Sequence, residues 1–309
     1  AAAPTRYSFI VESGYYSRIG VVCGYRTGLS IYTQAYATYG SDYDRALNTD
    51  AAHQNLRIYK TTAGTFGGNV NVATGVPYAV DLTIKSGQFG TNGNAFTDGI
   101  YVGGLSGGSN KAVRKATVEG GQIFNLIGGP SVDPNRKAYT LIYTTVKGGE
   151  VDFVFGGAGE SATQGHRALN IAGGTINGAA FGGSNAKTGT SGDGTLQGNT
   201  IVYVGGNAVV GGTIRFKKTS TDVNYNEHPS SVFGAGNGNT SNNTIGTVYS
   251  SAVVIDGNAH VKGSVFGGGN YGGVGTTLED DTESTIKILG GTIDESVYAG
   301  GNNNGGGNS

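Results

Sequence analysis

Acidic side chains cluster once in this chain, in the run Leu278-Glu279-Asp280-Asp281-Thr282-Glu283. Calcium prefers several oxygen ligands held close together. The candidate ligands for such an ion are Glu279, Asp280, Asp281 and Glu283. The run lacks the alternating Asp/Asn-x-Asp spacing of recognised calcium loops. A solvated loop is therefore the first expectation, and a calcium site the second.

Tyrosine is concentrated near the N-terminus, where nine of the 18 tyrosines fall within the first 59 residues. Its ring has a flat apolar face and a polar tip, which suits both sugars and protein interfaces. Four of these tyrosines stand at helical spacing: Tyr32, Tyr36, Tyr39 and Tyr43. We expect them either to pack the surrounding segment onto the rest of the fold or to form a patch that binds glycan or protein.

Other catalytic and metal-binding patterns are missing from the sequence. The four histidines show no metal-ligand spacing: His53, His166, His228 and His260. The single cysteine, Cys23, excludes an internal disulfide and a cysteine-based zinc site. We therefore predict no catalytic residues and no metal centre.

Charge is nearly balanced, with 20 basic and 21 acidic residues. The chain thus lacks the positive surface that binds nucleic acid or an anionic membrane. No apolar run approaches the roughly 18 residues that span a bilayer. We expect no nucleic-acid partner and no membrane insertion.

A repeated unit organises the 59 glycines. It consists of a short β-branched strand, Gly-Gly, a short apolar strand, Phe-Gly-Gly and an Asn-rich turn. Its clearest copy is AVVIDGNAHVKGSVFGGGNY from Ala252, and STIKILGGTIDESVYAGGNN from Ser284 aligns with it. The distance between successive Gly-Gly pairs varies, from 25 residues over 148–173 to 33 over 257–290. The strands are constant while the connections differ.

Constant strands with variable connections predict an all-β solenoid, a parallel β-helix in which each repeat forms one coil. Right-handed crossovers are the strong default for parallel strands. Alternation within a unit, as at Val253 and Ile255, places apolar side chains inside. The glycines suit the corners, where the chain turns sharply and positive φ angles are needed.

Asparagines recur at one turn of the repeat: Asn110, Asn185, Asn237, Asn270 and Asn302. Asparagine tolerates the left-handed region and bonds to nearby backbone. In stacked coils, asparagine side chains can form a hydrogen-bonded ladder. We interpret these residues as structural.

Residues 26–55 carry few glycines and interrupt the repeat. Ser41-Asp42-Tyr43-Asp44, before RALNTDAAHQNL, matches a capping box and predicts a short helix. We expect residues 1–309 to form one solenoid domain with this Tyr-rich insertion at about 26–55. The final AGGNNNGGGNS ends within the repeat, which predicts that the chain is a fragment of a longer repetitive protein.

The repeat, as DGNAHVKGSVFGGGN and LGGTIDESVYAGGNN, resembles the glycine-rich β-strand repeats of very large surface and adhesin-like proteins from anaerobic bacteria. The resemblance covers most of the chain. It implies secretion, a cell-surface location, a β-solenoid and a role as stalk or adhesin. It supplies no catalytic residues.

The segment GGEVDFVFGGA, within residues 148–158, resembles the strand of pectin methylesterases that carries a catalytic aspartate. The resemblance implies that Asp152 acts as a nucleophile or acid/base partner toward a uronic-acid methyl ester. The chain lacks that family's second aspartate, in Gln-Asp-Thr, and its arginine, in Gly-Arg-Pro-Trp. Asp152 also takes the repeat position of Asp294 and Lys262, so the repeat already accounts for this segment.

We therefore expect a structural or adhesive segment of a secreted bacterial surface protein, in contact with a host or bacterial glycan or protein. The first alternative is a polysaccharide-acting β-helix enzyme or a degenerate carbohydrate-binding relative. Clustered, partly buried carboxylates on one face would favour it. The second alternative is a self-assembling filament subunit that associates through the solenoid ends.

Overall fold

The fold was obtained as a computed structural model. It describes residues 19–24, 28–33, 43–45, 53–58, 65–66, 69–74, 79–84, 88–89, 99–102, 113–130, 137–159, 162–186, 194–215, 229–238, 245–275 and 283–302. All regular secondary structure in these ranges is β-strand, and they contain no helix. The predicted all-β class is confirmed.

The strands are short. In chain order they are β1 (Ile19–Gly24), β2 (Gly28–Thr33), β3 (Tyr43–Arg45), β4 (His53–Ile58), β5 (Thr65–Phe66), β6 (Asn69–Thr74), β7 (Ala79–Ile84), β8 (Gln88–Phe89), β9 (Gly99–Tyr101), β10 (Val113–Val118), β11 (Gln122–Ile127), β12 (Lys137–Val146), β13 (Glu150–Phe155), β14 (Thr163–Ile171), β15 (Thr175–Phe181), β16 (Leu196–Gln197), β17 (Thr200–Val204), β18 (Val209–Val210), β19 (Val232–Phe233), β20 (Ser251–Ile255), β21 (His260–Val261), β22 (Val265–Phe266), β23 (Ser284–Ile288), β24 (Thr292–Ile293) and β25 (Val297–Tyr298).

One sheet, here called sheet B, takes one strand from each repeat and stacks them in parallel. Its order is β4, β7, β10, β12, β14, β17, β20 and β23, with β16 paired to β14. The register keeps equivalent residues side by side, so that Val146 pairs with Ile171 and Val204 with Ile255. One inward row is fully buried over six strands and contains Ile84, Val118, Val146, Ile171, Val204 and Ile255.

The second sheet, here called sheet A, contains the other strands of each repeat. A long strand such as β15 pairs in parallel with two short strands of the next repeat, β18 along its first half and β19 along its second. Val210 and Val232, one from each short strand, both belong to the same buried apolar core as Val204 of sheet B. The two sheets therefore enclose one core, which is compatible with a β-helix or solenoid.

Glycine occupies the corner between the two sheets in successive repeats. Six glycines at this corner have positive φ: Gly121, Gly149, Gly174, Gly206, Gly257 and Gly291. At Gly149 the φ angle is 76°, and an added Cβ would lie 2.7 Å from the carbonyl oxygen of Gly121 in the repeat before. Both the left-handed backbone and the close stacking of repeats require glycine here.

A polar row ties sheet B to the Phe-Gly-Gly turns. Thr200 Oγ1 donates a hydrogen bond to the Gly234 carbonyl at 2.5 Å, and Ser251 Oγ donates to the Gly267 carbonyl at 2.6 Å. Arg167 holds the equivalent position in β14, where it pairs with Thr200 and is 1% exposed. Its guanidinium donates to the carbonyls of His166 and Gln164 at 2.8 and 3.1 Å, so nearby backbone accepts two of its hydrogen bonds.

The segment 26–55 differs from its prediction. Ser41–Asp44 was expected to begin a helix, but Tyr43–Arg45 forms strand β3, which pairs antiparallel with β2, and β2 pairs antiparallel with β1. The predicted helix is therefore wrong where the structure describes this segment. A capping box contributes only about 1 kcal/mol, and aromatic and β-branched residues such as Tyr43 and Ile31 favour strand pairing.

Replacing Thr144 by valine is expected to stabilise the fold by about 1 kcal/mol. Thr144 lies between Ala116 and Leu169 in an inward row of sheet B, and its Oγ1 is buried with no hydrogen-bond partner among the described residues. Valine keeps the shape and removes the buried hydroxyl. Urea unfolding would measure the difference in free energy. Thr117→Val, at a half-buried position on the opposite face, is the control, and a less stable T144V would contradict the prediction.

Candidate binding surface

Asp152 lies in β13 and is 1% exposed. Its carboxylate accepts a hydrogen bond from Asn177 Nδ2 at 2.9 Å and from the backbone N–H of Arg215 at 3.1 and 3.2 Å. The Arg215 guanidinium also donates to the two carboxylate oxygens of Glu150. This bonding raises the pKa of Arg215, and the nearby carboxylate charges of Glu150 and Asp152 add to the effect.

These contacts hold the segment that follows β18 against sheet A. Within that segment, Ile214 packs on a second buried cluster of mainly aromatic side chains, which includes Phe153 and Phe155. The buried carboxylate of Asp152 is surrounded by protein donors, which suits an anchoring role.

Replacing Asp152 by alanine is expected to loosen the segment around Arg215, because two donors lose their acceptor. The local opening free energy should fall by about 1–3 kcal/mol. Hydrogen exchange at the Arg215 amide measures this opening. Glu150→Gln is the matched control, since an exposed ion pair contributes about 1 kcal/mol or less. Unchanged exchange in D152A would contradict the anchoring role.

The asparagines of the repeat turn form a ladder of side-chain hydrogen bonds. Asn237 Nδ2 donates to Asn185 Oδ1 at 3.1 Å, Asn270 Nδ2 to Asn237 Oδ1 at 2.9 Å, and Asn302 Nδ2 to Asn270 Oδ1 at 2.8 Å. Asn237 is completely buried. The ladder joins four successive repeats. Asn110 lies outside the described residues.

Aromatic rings stack beside the same turns. The stack contains Phe155, Phe181, Phe233, Phe266 and Tyr298, with successive ring centroids 4.8 or 4.9 Å apart and nearly parallel planes. Its four phenylalanines are buried, whereas Tyr298 at the end is 48% exposed. This spacing equals the distance between paired strands. The stack therefore follows directly from the register of sheet A.

The outer face of sheet B presents a half-buried tyrosine, Tyr143, on β12. Asn170 Nδ2 donates to its hydroxyl at 3.3 Å. Asn170 lies on the next strand, β14, and is paired with Thr145, the residue two positions after Tyr143. The Tyr143 side chain therefore points toward β14 and toward the C-terminal end of its own strand. Thr145 faces outward yet is only 5% exposed. Thr145 and Asn170 are thus the neighbours of the Tyr143 side chain on this face.

Tyr203, on β17, repeats this arrangement. Its hydroxyl donates to Asp256 Oδ2 at 2.9 Å, one strand onward and two residues along. A Cβ at Gly205 would lie 2.6 Å from Tyr203 Oη and 2.7 Å from Cζ, so the hydroxyl end of the ring lies over this glycine. The hydrogen bond to Asp256, then burial and the Asp256 charge, raise the pKa of Tyr203. The hydroxyl remains a donor at neutral pH.

Together these four residues form a surface that we call the tyrosine face: Tyr143, Asn170, Tyr203 and Asp256. Two strand spacings separate the tyrosines, or about 10 Å along the stacking direction. Both rings lean the same way and both hydroxyls are held by a neighbour. Two tyrosine side chains are thus held by hydrogen bonds on the outer face of one sheet.

The sequence did not single out this face. Its signal is a tyrosine on an outward position, followed two residues later by a small residue, as in Tyr143-Thr-Thr145 and Tyr203-Val-Gly205. Predicting this face would also have required the register between repeats, because Asn170 and Asp256 lie far from their tyrosines in sequence.

The N-terminal tyrosines singled out by sequence are only partly placed. Tyr32 lies in β2 and Tyr43 in β3, so the expected helical spacing does not apply to these two. Tyr36 and Tyr39 lie outside the described residues, as do the side chains of Tyr32 and Tyr43. Their expected role in binding stays a prediction.

The proposed calcium ligands are also only partly placed. Glu279, Asp280 and Asp281 lie outside the described residues, and Glu283 is an exposed residue before β23. Within the ranges given above, no three His, Cys, Asp or Glu side chains group closely enough to hold a metal ion. The same ranges contain no helix long and apolar enough to cross a membrane.

Comparison of the chain with models of known protein families, with curated proteins and with solved structures found no match. Inferences about function therefore rest on the geometry of the chain itself.

Proposed function

We propose that this chain is a right-handed parallel β-solenoid that serves as a structural and adhesive segment of a secreted bacterial surface protein. The observation that carries the proposal is the register of sheet B, in which eight successive strands pair in parallel in chain order. Such a scaffold grows by one strand spacing per repeat. It presents outward side chains in regular rows, which suits contact with a glycan or a protein.

The use of polar residues supports a scaffold. The asparagine side chains of the ladder hydrogen-bond to one another between repeats. The Asp152 carboxylate accepts a hydrogen bond from the segment after β18. The tyrosine face leaves two aromatic side chains partly exposed on the outer side of sheet B. These are suited to holding a partner rather than to transforming it.

Two measurements test this function. Small-angle scattering of the purified chain should give an elongated particle, and a compact profile would overturn the scaffold. Beads coated with the chain should be retained on bacterial or epithelial cell layers more than beads coated with an unrelated β-solenoid of similar length. Equal retention of both bead types would overturn the adhesive role.

A second candidate function is self-association, and the edge of the last described repeat favours it. Ile288 continues the buried row that contains Ile255 and is 47% exposed, and Val297 on β25 is also 47% exposed. Unpaired strand edges with apolar side chains promote association. Sedimentation velocity should show larger species as concentration rises, and fewer of them in V297K. Concentration-independent monomers would exclude this function.

A further inference from the structure

We infer that the tyrosine face binds an uncharged, extended polysaccharide, which lies diagonally across sheet B with one sugar ring on Tyr143 and another on Tyr203. This inference rests on the proposed contact function and specifies its ligand and its site.

The orientation of the rings carries the inference. A tyrosine that stands upright offers an edge, whereas one that lies flat offers its whole face. The ring of Tyr203 lies over Gly205, and the Tyr143 side chain reaches toward Asn170 on the next strand, which is paired with Thr145. The apolar face of a sugar ring can pack against the face of a tyrosine ring. The polar hydroxyl at the tip of the tyrosine stays in contact with polar groups.

The hydroxyl groups are fixed as well. Asn170 donates to Tyr143 and Asp256 accepts from Tyr203, so neither ring must be ordered when a ligand arrives. Binding to a preorganised surface avoids that entropic cost. The carboxylate of Asp256 also offers polar atoms beside the Tyr203 ring, suited to the hydroxyl groups of a sugar.

Charge favours an uncharged ligand. On the outward rows from β10 to β23, the described charged side chains are three lysines and two carboxylates: Lys115, Lys147, Lys287, Glu119 and Asp256. Their formal charges nearly cancel, so this face has no strong preference for a polyanion or a polycation. An acidic polysaccharide would also bring carboxylates toward Asp256, which like-charge repulsion disfavours.

Spacing favours an extended chain of several sugars. The rings stand about 10 Å apart along the stacking direction, from two strand spacings, and are offset by two residues along the strands. A single monosaccharide cannot touch both rings. An extended oligosaccharide reaches both, and each contact then strengthens the other.

Affinity electrophoresis and calorimetry of the full chain would test the inference with soluble mixed-linkage β-glucan, xyloglucan, mannan and starch, beside polygalacturonate as the acidic probe. At least one uncharged polymer should bind. Y143A and Y203A should each weaken binding about threefold to tenfold, and G205A should weaken it too, because its Cβ displaces the Tyr203 ring while the tyrosine remains.

Tyr298→Ala is the matched control, since this exposed tyrosine lies on sheet A, and it should bind as the parent chain does. Circular dichroism checks that each variant is folded. Failure of all four uncharged polymers to bind, preferential binding of polygalacturonate, or equal binding by Y143A, Y203A and the parent chain would overturn the inference. If coated beads still adhere to cells in that event, the adhesive function stands and only this ligand is wrong.

Discussion

Replacement of Phe233 by alanine is expected to lower the free energy of unfolding by about 3–5 kcal/mol. Phe233 is 1% exposed and lies in the middle of the aromatic stack, with the rings of Phe181 and Phe266 each 4.8 Å away. Its removal opens a cavity between two rings that the strand register holds in place. Neighbouring repeats cannot close this gap without breaking their own backbone pairing.

Guanidinium unfolding of F233A and the parent chain would measure this loss. Tyr298→Ala provides the control, because Tyr298 contacts only one ring of the stack, that of Phe266, and is 48% exposed. Its replacement should cost about 1 kcal/mol or less. Equal losses at the two positions would mean that the stack contributes little to stability.

Replacement of Asn237 by aspartate is expected to destabilise the fold by about 3 kcal/mol at pH 7. Asn237 is fully buried, donates to Asn185 and accepts from Asn270. Aspartate has the same shape and keeps the acceptor. It replaces the donor with an oxygen that faces the Asn185 oxygen, and it buries a negative charge.

The loss in N237D should depend on pH. Burial raises the pKa of the new carboxyl in the folded state above its unfolded value of about 3.9. The destabilisation is therefore smallest below about pH 4, where both states are protonated, and grows as pH rises toward the folded-state pKa.

Unfolding of N237D and the parent chain at several pH values gives this difference directly. Asn302→Asp is the control, because Asn302 is partly exposed at the end of the ladder and accepts no hydrogen bond from a later asparagine in the described residues. It should show a small, nearly constant loss. A pH-independent loss in N237D would contradict a buried carboxylate at that position.

The parallel all-β arrangement was predictable because the repeat fixes which residues stack. Glycine at the corners and alternating apolar residues such as Val253 and Ile255 specify both the turns and the inward face. The hairpin of β1 and β2 was not predictable in this way. It forms by antiparallel pairing between Ile19–Gly24 and Gly28–Thr33. This pairing is not part of the repeated unit, so the repeat does not predict it.

The tyrosine face was hidden for a different reason. The sequence of each strand alone does not show how its tyrosine is held. The hydrogen-bond partner lies in the next repeat, Asn170 for Tyr143 and Asp256 for Tyr203. Asp152 illustrates the reverse case. A local motif suggested chemistry, while the fold supplies donors from Asn177 and Arg215 that occupy its carboxylate.

The parallel register of sheet B also determines how the chain would respond to tension. Hydrogen bonds between repeats point along the stacking direction. A pull along that axis therefore acts first on the outermost repeat, and the repeats would separate one after another. Each rupture frees a different length of chain, because equivalent positions are 25 residues apart from Val146 to Ile171 and 51 apart from Val204 to Ile255. Under such a pull the chain would extend in unequal steps, and its inner repeats would stay folded until the outer ones had opened.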